Sequence, residues 1–113
     1  MRVLKYKDTY ENRNSDLCIV TEYDFKDKDI DFSVGEINGR YPDSGFCVNC
    51  EVKEMVYILE GQGSIYLIDK TIPFEKGDAL LIEKGEKYYW DAHCKVAMAC
   101  TPAWYPAQHQ LVE

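Results

Sequence analysis

Turn-forming residues interrupt this chain at intervals of roughly 8 to 12 residues, and the runs between them are rich in β-branched and aromatic residues. The turns are NGRYPDSG, EGQG, DKTIP, EKGD, EKGEK and DAH. No stretch predicts a long helix, so this spacing favours an all-β sandwich or barrel. The predicted strands are Leu17–Tyr23, Ile30–Ile37, Phe46–Val52, Met55–Leu59, Ser64–Ile68, Ala79–Ile82, Tyr88–Trp90 and Lys95–Cys100.

The chain length of 113 residues predicts one compact domain with three parts. Residues 1–15 are polar and are expected to form an N-terminal arm, and residues 16–101 form the barrel. Residues 102–113 contain two prolines, which predict an extended C-terminal tail. Trp104 and Tyr105 are large enough that we expect the tail to dock on the barrel or on a second subunit.

The charge pattern excludes two classes of partner. The formal net charge is −7, and the 13 basic residues are scattered along the chain. A nucleic-acid-binding protein or an anionic-membrane binder needs a clustered basic face, so neither partner is expected. The sequence shows no signal-peptide pattern and no apolar run of about 20 residues, which predicts a cytoplasmic protein. The odd number of cysteines, five, then favours free thiols.

Two motifs resemble those of the cupin family of small β-barrels. The segment EMVYILEG, from Glu54 to Gly61, is similar to the second half of the first cupin motif. Gly77, DALLI and EKGEKY, with Gly85, are similar to the second motif. The resemblance covers Gly39–Cys100 and implies a cupin-type double-stranded β-helix, that is, a jelly-roll barrel. It also implies a homodimer, as is common among small cupins.

The resemblance also bears on metal binding. Metal-binding cupins usually supply two closely spaced histidines, a glutamate and then the histidine of the second motif. Here Glu54 matches the glutamate, Tyr88 stands at the second-motif histidine, and Glu83 stands at the motif's proline. No histidine occupies any ligand position, so the usual histidine metal centre is not expected.

The positions of the paired histidines depend on strand register. They fall either on Cys47 and Asn49 or on Val48 and Cys50. Successive side chains point to opposite faces of a strand, so only one pair can face the barrel interior. The face that carries Val48 is apolar, but a bulge could turn Cys47 and Asn49 inward instead.

The sequence CVNC does not favour a redox pair or a zinc site. On a strand, Cys47 and Cys50 point to opposite faces, whereas a redox pair lies at a helix N-terminus. No second Cys-x-x-Cys completes a four-cysteine zinc site. Cys94 and Cys100 are most simply core residues.

Four further side chains each allow two interpretations. Glu54 is either a cavity carboxylate that binds ligand or transfers a proton, or a strand-entry residue bonded to a backbone amide or to Arg40. Arg40 is either a clamp for a carboxylate at the barrel mouth or a surface residue. Tyr88 and Trp90 either face a ligand or fill the barrel as core.

The two histidines differ in position. His93 lies in the predicted DAH turn and is expected to be exposed. His109 lies in the tail and could reach the cavity if the tail folds over the barrel mouth.

These observations favour a small-molecule-binding cupin of unknown ligand that lacks the usual histidine metal ligands. The predicted ligand pocket comprises Arg40, Cys47, Asn49, Cys50, Glu54, Tyr88 and Trp90. The alternative is a metal-dependent isomerase, lyase or dioxygenase that binds Zn or Fe. Its ligands would come from Cys47, Asn49, Cys50, Glu54 and Tyr88. A third possibility is a structural dimer module.

Overall fold

Nine antiparallel β-strands and two single-turn 3-10 helices make up the chain, which a computed structural model describes over all 113 residues. The strands are β1 (Tyr10–Ser15), β2 (Cys18–Tyr23), β3 (Asp31–Tyr41), β4 (Phe46–Asn49), β5 (Lys53–Leu67), β6 (Thr71–Glu75), β7 (Ala79–Ile82), β8 (Lys87–Thr101) and β9 (His109–Val112). The helices are Tyr6–Asp8 and Pro106–Gln108. The predicted all-β class is therefore confirmed. None of the helices has the length and apolar character that crossing a membrane requires.

Strand β8 joins the two parts of the curled sheet. One path runs β1-β2-β3-β8-β4-β9, and β5 pairs with β8 as well as with β6 and β7. The two longest strands, β5 and β8, pair along their full length, from Lys53 opposite Thr101 to Leu67 opposite Tyr88. Curling the sheet around this pair encloses one interior and gives the jelly-roll barrel that the resemblance implied.

Two predicted turns are wrong, because the chain continues as a strand through both. EGQG lies inside β5, where the register shifts between Ile58 and Glu60 and Gly61 adopts a φ of 86°. A Cβ atom at Gly61 would collide with the carbonyl oxygen of His93, so the glycine permits close strand packing at a bulge. DAH lies inside β8, where His93 pairs with Asn38 and is exposed.

The two ends of the chain also form strands. In the segment assigned to the N-terminal arm, β1 pairs with β2. In the tail, β9 pairs with β4, from Phe46 opposite Val112 to Asn49 opposite His109. The tail therefore packs on the barrel, and this pairing carries His109 to the end of β4.

Alternating residues of the long strands form the apolar core. Val56 and Ile58 on β5 and Val96 on β8 are fully buried, while Met55 and Tyr57, which alternate with the first two, are about half exposed. The period of two follows from strand geometry, so one face of each strand lines the interior. This apolar core fills the barrel beside a cavity that β2, β3, β5, β8 and the tail enclose together.

Candidate active site

A cavity of about 70 Å³ opens beside the apolar core and has 16 lining residues. This volume holds a few water molecules or one end of a small organic molecule. Its wall combines apolar and aromatic side chains with polar ones. The polar and ionisable groups that line it include Glu22, Asp31, Ser33, Glu54, Tyr88 and His109.

The end of β4 decides which of the paired histidine positions face inward. Cys47 and Asn49 are fully buried, whereas Cys50 lies just after the strand and is exposed. The Cys50 amide donates a hydrogen bond to the carbonyl of Gln108, which holds that residue against the tail at the surface. The structure therefore places Cys50 outside the cavity, because β4 ends at Asn49 and not at Val52 as predicted.

Asn49 connects the polar side chains of the interior. Its Nδ2 donates to Glu54 Oε1 and to the Tyr88 hydroxyl, each at 3.4 Å. Its Oδ1 accepts from Gln108 Nε2 at 3.1 Å and from His109 Nδ1 at 3.0 Å. One buried amide thus joins β4, β5, β8 and the tail, and it uses all its hydrogen-bonding capacity to do so.

Glu54 presents a buried carboxyl group to the cavity. The residue is 7% exposed and lies opposite Cys100 on β8. Its Oε1 accepts from Asn49 and from Cys100 Sγ at 3.6 Å, whereas Oε2 has no hydrogen-bond partner in the protein. Burial raises the pKa of Glu54 to about 7, and the two hydrogen bonds oppose part of this shift. The carboxyl group can therefore donate or accept a proton near neutral pH.

His109 lies across the same cavity with both ring nitrogens bonded. Nδ1 is 3.0 Å from Asn49 Oδ1, and Nε2 is 3.3 Å from the Tyr41 hydroxyl. Because Asn49 Oδ1 is an acceptor, the proton is assigned to Nδ1, which leaves the Nε2 lone pair to accept from Tyr41. Burial lowers the pKa of His109, which favours the neutral ring. The expectation that His109 could reach the cavity agrees with this placement.

Tyr88 and Trp90 serve both as core and as cavity wall. Both line the cavity, and their exposed fractions are 3% and 4%. The Trp90 ring packs edge-on against Phe74 at 5.5 Å and against Tyr88 at 6.5 Å. Burial raises the pKa of Tyr88 well above its usual value, so the phenol keeps its proton.

Arg40 and Cys47 do not line the cavity. Arg40 Nη2 donates to the carbonyl of Gly45 at 2.8 Å, and its guanidinium lies 3.9 Å above the Tyr89 ring. Cys47 Sγ donates to the backbone carbonyl of Tyr88, and burial raises the pKa of this thiol to about 12. Arg40 therefore fastens the β3–β4 loop and Cys47 fills the core.

The alternative metal-ligand set does not converge on one point. Cys50 is at the surface, Cys47 is bonded to a carbonyl, and Asn49 has no lone pair left for an ion. No group of three or more His, Cys, Asp or Glu side chains is arranged to hold a metal ion. These donors do not fit the transition-metal site that the cupin family suggests.

Sequence reasoning missed several side chains of the site. Tyr41 and Gln108 bond to the network directly, and Ser33, Asp31 and Glu22 line the cavity. Alternation along β3 places Asp31 and Ser33 on the inward face, a pattern that the sequence already contains. Gln108 carried no comparable signal, because only the docking of the tail brings it inside.

Comparison with known proteins agrees with this geometry. A family model described as the EutQ-like cupin domain matches residues 40–97, just over half of the chain. No curated protein matches the sequence.

Several solved structures share the fold. Streptomyces Pac13, described as a nucleoside dehydratase, has a TM-score of 0.88 at 14% identity, over 100% of this chain and 92% of that one. A variant of it was solved with uridine at the same TM-score and identity, over 91% of that chain. Ectoine synthase from P. lautus has a TM-score of 0.77 at 15% identity, over 100% of this chain and 91% of that one. The polyketide cyclase RemF from Streptomyces resistomycificus has a TM-score of 0.75 at 17% identity, over 100% and 86%.

At these identities the structural likeness concerns the fold. The barrel, the two sequence motifs and the family match together show that this chain belongs to the EutQ-like cupin domain family.

Proposed function

We propose that this cupin domain binds a small polar molecule in the cavity and catalyses proton transfer on it, with Glu54 as the principal acid–base group. The observation that carries this proposal is a buried carboxyl group with a pKa of about 7 and one unbonded oxygen at the cavity wall. General acid–base catalysis is most efficient when the pKa of the catalytic group lies near the working pH. A glutamate in water has a pKa near 4.3 and is a weak acid–base catalyst at neutral pH.

His109 supplies a second proton-transfer group of different character. Burial lowers its pKa and so favours the neutral ring, Asn49 Oδ1 accepts from Nδ1, and Nε2 accepts from the Tyr41 hydroxyl. A substrate group that takes the place of Tyr41 at Nε2 would meet a base. Glu54 and His109 are thus joined through one amide, and their environments favour opposite proton states.

Elimination of water is the reaction class that such a pair serves best. His109 Nε2 takes a proton from carbon, and protonated Glu54 donates its proton to the departing hydroxyl group. The C–H and C–O bonds break, a carbon–carbon double bond forms, and water leaves. The product leaves Glu54 ionised and His109 protonated, and transfer of one proton through solvent restores both.

The structural neighbours support this reaction class. Pac13 is described as a nucleoside dehydratase and has the same fold over the whole of this chain. Because a fold hosts many activities, the proposal depends on Glu54 and His109, and the neighbour only agrees with it.

The test is incubation with uridine and a panel of small hydroxylated compounds, followed by mass spectrometry for products that have lost one water. We expect turnover of at least one compound to fall by a factor of about 100 or more in Glu54→Gln. Cys50→Ser is the control and should keep the wild-type rate, because Cys50 is exposed outside the cavity. Turnover that survives Glu54→Gln would contradict the proposed role.

A binding module without catalysis is the second candidate, and the aromatic wall favours it. Trp90 and Trp104 both line the cavity and offer faces for a planar or apolar ligand. This candidate predicts that uridine or another panel compound raises the melting temperature without being converted. Glu54→Gln would then leave that shift unchanged, whereas Trp90→Leu would remove it.

A further inference from the structure

The cavity that contains Glu54 carries an excess of negative charge. Glu22 and Asp31 line it together with Glu54. An adjoining outer pocket of about 150 Å³ shares Glu22 and Asp31 with the cavity and adds Asp24. Neither pocket has a lysine or an arginine in its wall. Four carboxyl groups thus line two neighbouring pockets that share Glu22, Asp31 and Trp104.

No positive charge in the protein compensates these carboxyl groups. The ion pairs of the structure join Arg2 to Asp27 and Lys53 to Glu83, and both are elsewhere. His109 is the remaining basic side chain of the cavity wall, and its burial favours the neutral ring. Charges that a protein partly buries are ordinarily paired, so these carboxyl groups favour a cationic ligand.

Strand register arranges the carboxyl groups along the cavity. Asp31 on β3 lies opposite Cys100 on β8, which in turn lies opposite Glu54 on β5. Strands are spaced about 4.8 Å apart, so the Cα atoms of Asp31 and Glu54 are about 10 Å apart. Glu22 on β2 lies opposite Ser33, two residues along β3 from Asp31. Glu22, Asp31 and Ser33 therefore form one group, and Glu54 lies one short molecule away from it.

Two oxygen atoms of largely buried residues line the space without a hydrogen-bond partner in the protein. Ser33 is 8% exposed and its hydroxyl makes no hydrogen bond within the protein, although it lines the cavity. Glu54 is 7% exposed, and its Oε2 is likewise unbonded. Both oxygens are accessible from the cavity, so each is free to bond to a polar group that enters it.

The electrostatics of Glu22 and Asp31 favour the binding of a cation. Burial raises the pKa of each carboxyl group; the charge of Asp31 adds to the shift of Glu22, and the charge of Asp24 adds to that of Asp31. The hydrogen-bond donors to these two carboxyl groups are neutral. The Asn12 side-chain amide donates to Glu22, and the Trp104 backbone amide donates to Asp31. A bound cation would reverse both shifts, because opposite charge stabilises the ionised form.

We infer that Glu22, Asp31 and Ser33 bind the protonated amine of a substrate whose hydroxyl group reaches Glu54. A primary ammonium group has three N–H donors, which match two carboxylates and one hydroxyl oxygen. Trp104 lies at the same wall and offers an aromatic surface to a cation. This inference rests on the proposed function and names its substrate class, a small amino alcohol.

Three probes of equal length and different charge test the inference: 4-amino-1-butanol, 1,4-butanediol and 4-hydroxybutanoate. Binding to the ¹⁵N-labelled full chain is measured at pH 8 from amide chemical shifts. The test protein is a double variant that combines Glu22→Gln with Asp31→Asn, and these substitutions keep both side-chain shapes. The controls are Glu36→Gln, outward on β3, and Asp69→Asn in an exposed turn, which remove the same charges elsewhere.

The inference predicts that the amine binds at least about tenfold more tightly than the diol and that the hydroxy acid binds most weakly. This preference should vanish in the double variant and persist in both controls. Equal affinities for amine and diol, or a preference that survives the double variant, would overturn the inference. If the diol shifts amides around Glu54 as strongly as the amine, the cationic site fails while the proposed function stands. If no probe shifts cavity amides, the inference fails, and the turnover assay with Glu54→Gln decides the proposed function separately.

Discussion

The barrel interior has two neighbouring regions that are built in opposite ways. Around Val56, Ile58 and Val96 it is fully buried and apolar. Two residues before Val56 on the same strand, Glu54 belongs to a network of polar side chains beside an open cavity. The first region gains stability from burial, whereas the second keeps a carboxyl group where its charge is disfavoured.

The difference indicates where the fold sacrifices stability. Apolar residues in the place of Glu54 and Asn49 would extend the core that β5 and β8 already form. The chain instead maintains a polar network through Asn49, whose four hydrogen bonds reach β5, β8 and the tail. Such local cost without structural need is typical of functional sites.

The largest effect is expected in the apolar region. Ile58→Ala removes a fully buried side chain and should lower the free energy of unfolding by about 3 to 4 kcal/mol, because the cavity left behind cannot collapse. Chemical denaturation measures this change. Met55→Ala is the control on the outward face of the same strand and should cost less than about 1 kcal/mol. Equal losses would contradict the assignment of the inward face.

Glu54→Gln should instead raise the free energy of unfolding at neutral pH and above. The folded pKa of about 7 lies above that of the unfolded chain, so the carboxyl group contributes stability at low pH that is lost as the pH rises through neutrality. Gln keeps the acceptor for Asn49 and Cys100 and carries no charge. At pH 8 the variant should be more stable than wild type by about 3 kcal/mol.

Below pH 4 the gain from Glu54→Gln should vanish, since both states of the wild type are then protonated at this position. Denaturation at pH 4 and pH 8 therefore provides an internal control. A variant that is less stable than wild type at both values would mean that Glu54 is a structural carboxylate.

Gln108→Ala should have an intermediate effect on the polar region. The Gln108 side chain accepts from the amides of Glu51 and Val52 and donates to Asn49, and it is 2% exposed. Its loss leaves buried groups unpaired and should cost about 1 to 2 kcal/mol. It should also move the pKa of His109, measured by NMR titration, because Asn49 loses one partner. Gln108→Glu serves as the comparison that keeps the acceptor.

The smallest effect concerns the cysteines. Cys50 is exposed, whereas Cys18, Cys47, Cys94 and Cys100 are buried and burial raises the pKa of each of their thiols. One thiol per chain should react rapidly with Ellman's reagent, and Cys50→Ser should abolish this phase. The variant should change the free energy of unfolding by less than about 0.5 kcal/mol. Rapid reaction of two or more thiols would contradict the burial of the others.

The apolar region could be predicted from the sequence, because its signal is local. The predicted strand Ala79–Ile82 matches β7, and Leu17–Tyr23 differs from β2 by one residue. The turns EGQG and DAH misled the prediction, since a glycine bulge and a long strand pairing absorb residues that usually end strands. The cupin motifs identified the family because Gly61, Gly77 and Gly85 have positive φ angles that few other residues adopt.

The polar region could be predicted only in part. Of the residues singled out, Glu54, Tyr88 and Trp90 line the cavity and Asn49 bonds to two of them. Arg40, Cys47 and Cys50 lie outside it. Where a strand ends decides the position of Cys50, and local sequence does not settle that to one residue. The other residues of the polar region come from β2, β3 and the tail, which meet only in the folded barrel. The homodimer and the cytoplasmic location stay predictions.

The most direct test of the account is the pKa of the Glu54 carboxyl group in the free protein. It can be followed by ¹³C NMR of the glutamate side-chain carboxyl carbons, with Glu54→Gln to assign the signal. The account predicts a titration midpoint near pH 7, set by burial beside the cavity. A midpoint near that of a glutamate in water, about 4.3, would contradict the acid–base role and leave the polar region without its proposed chemistry.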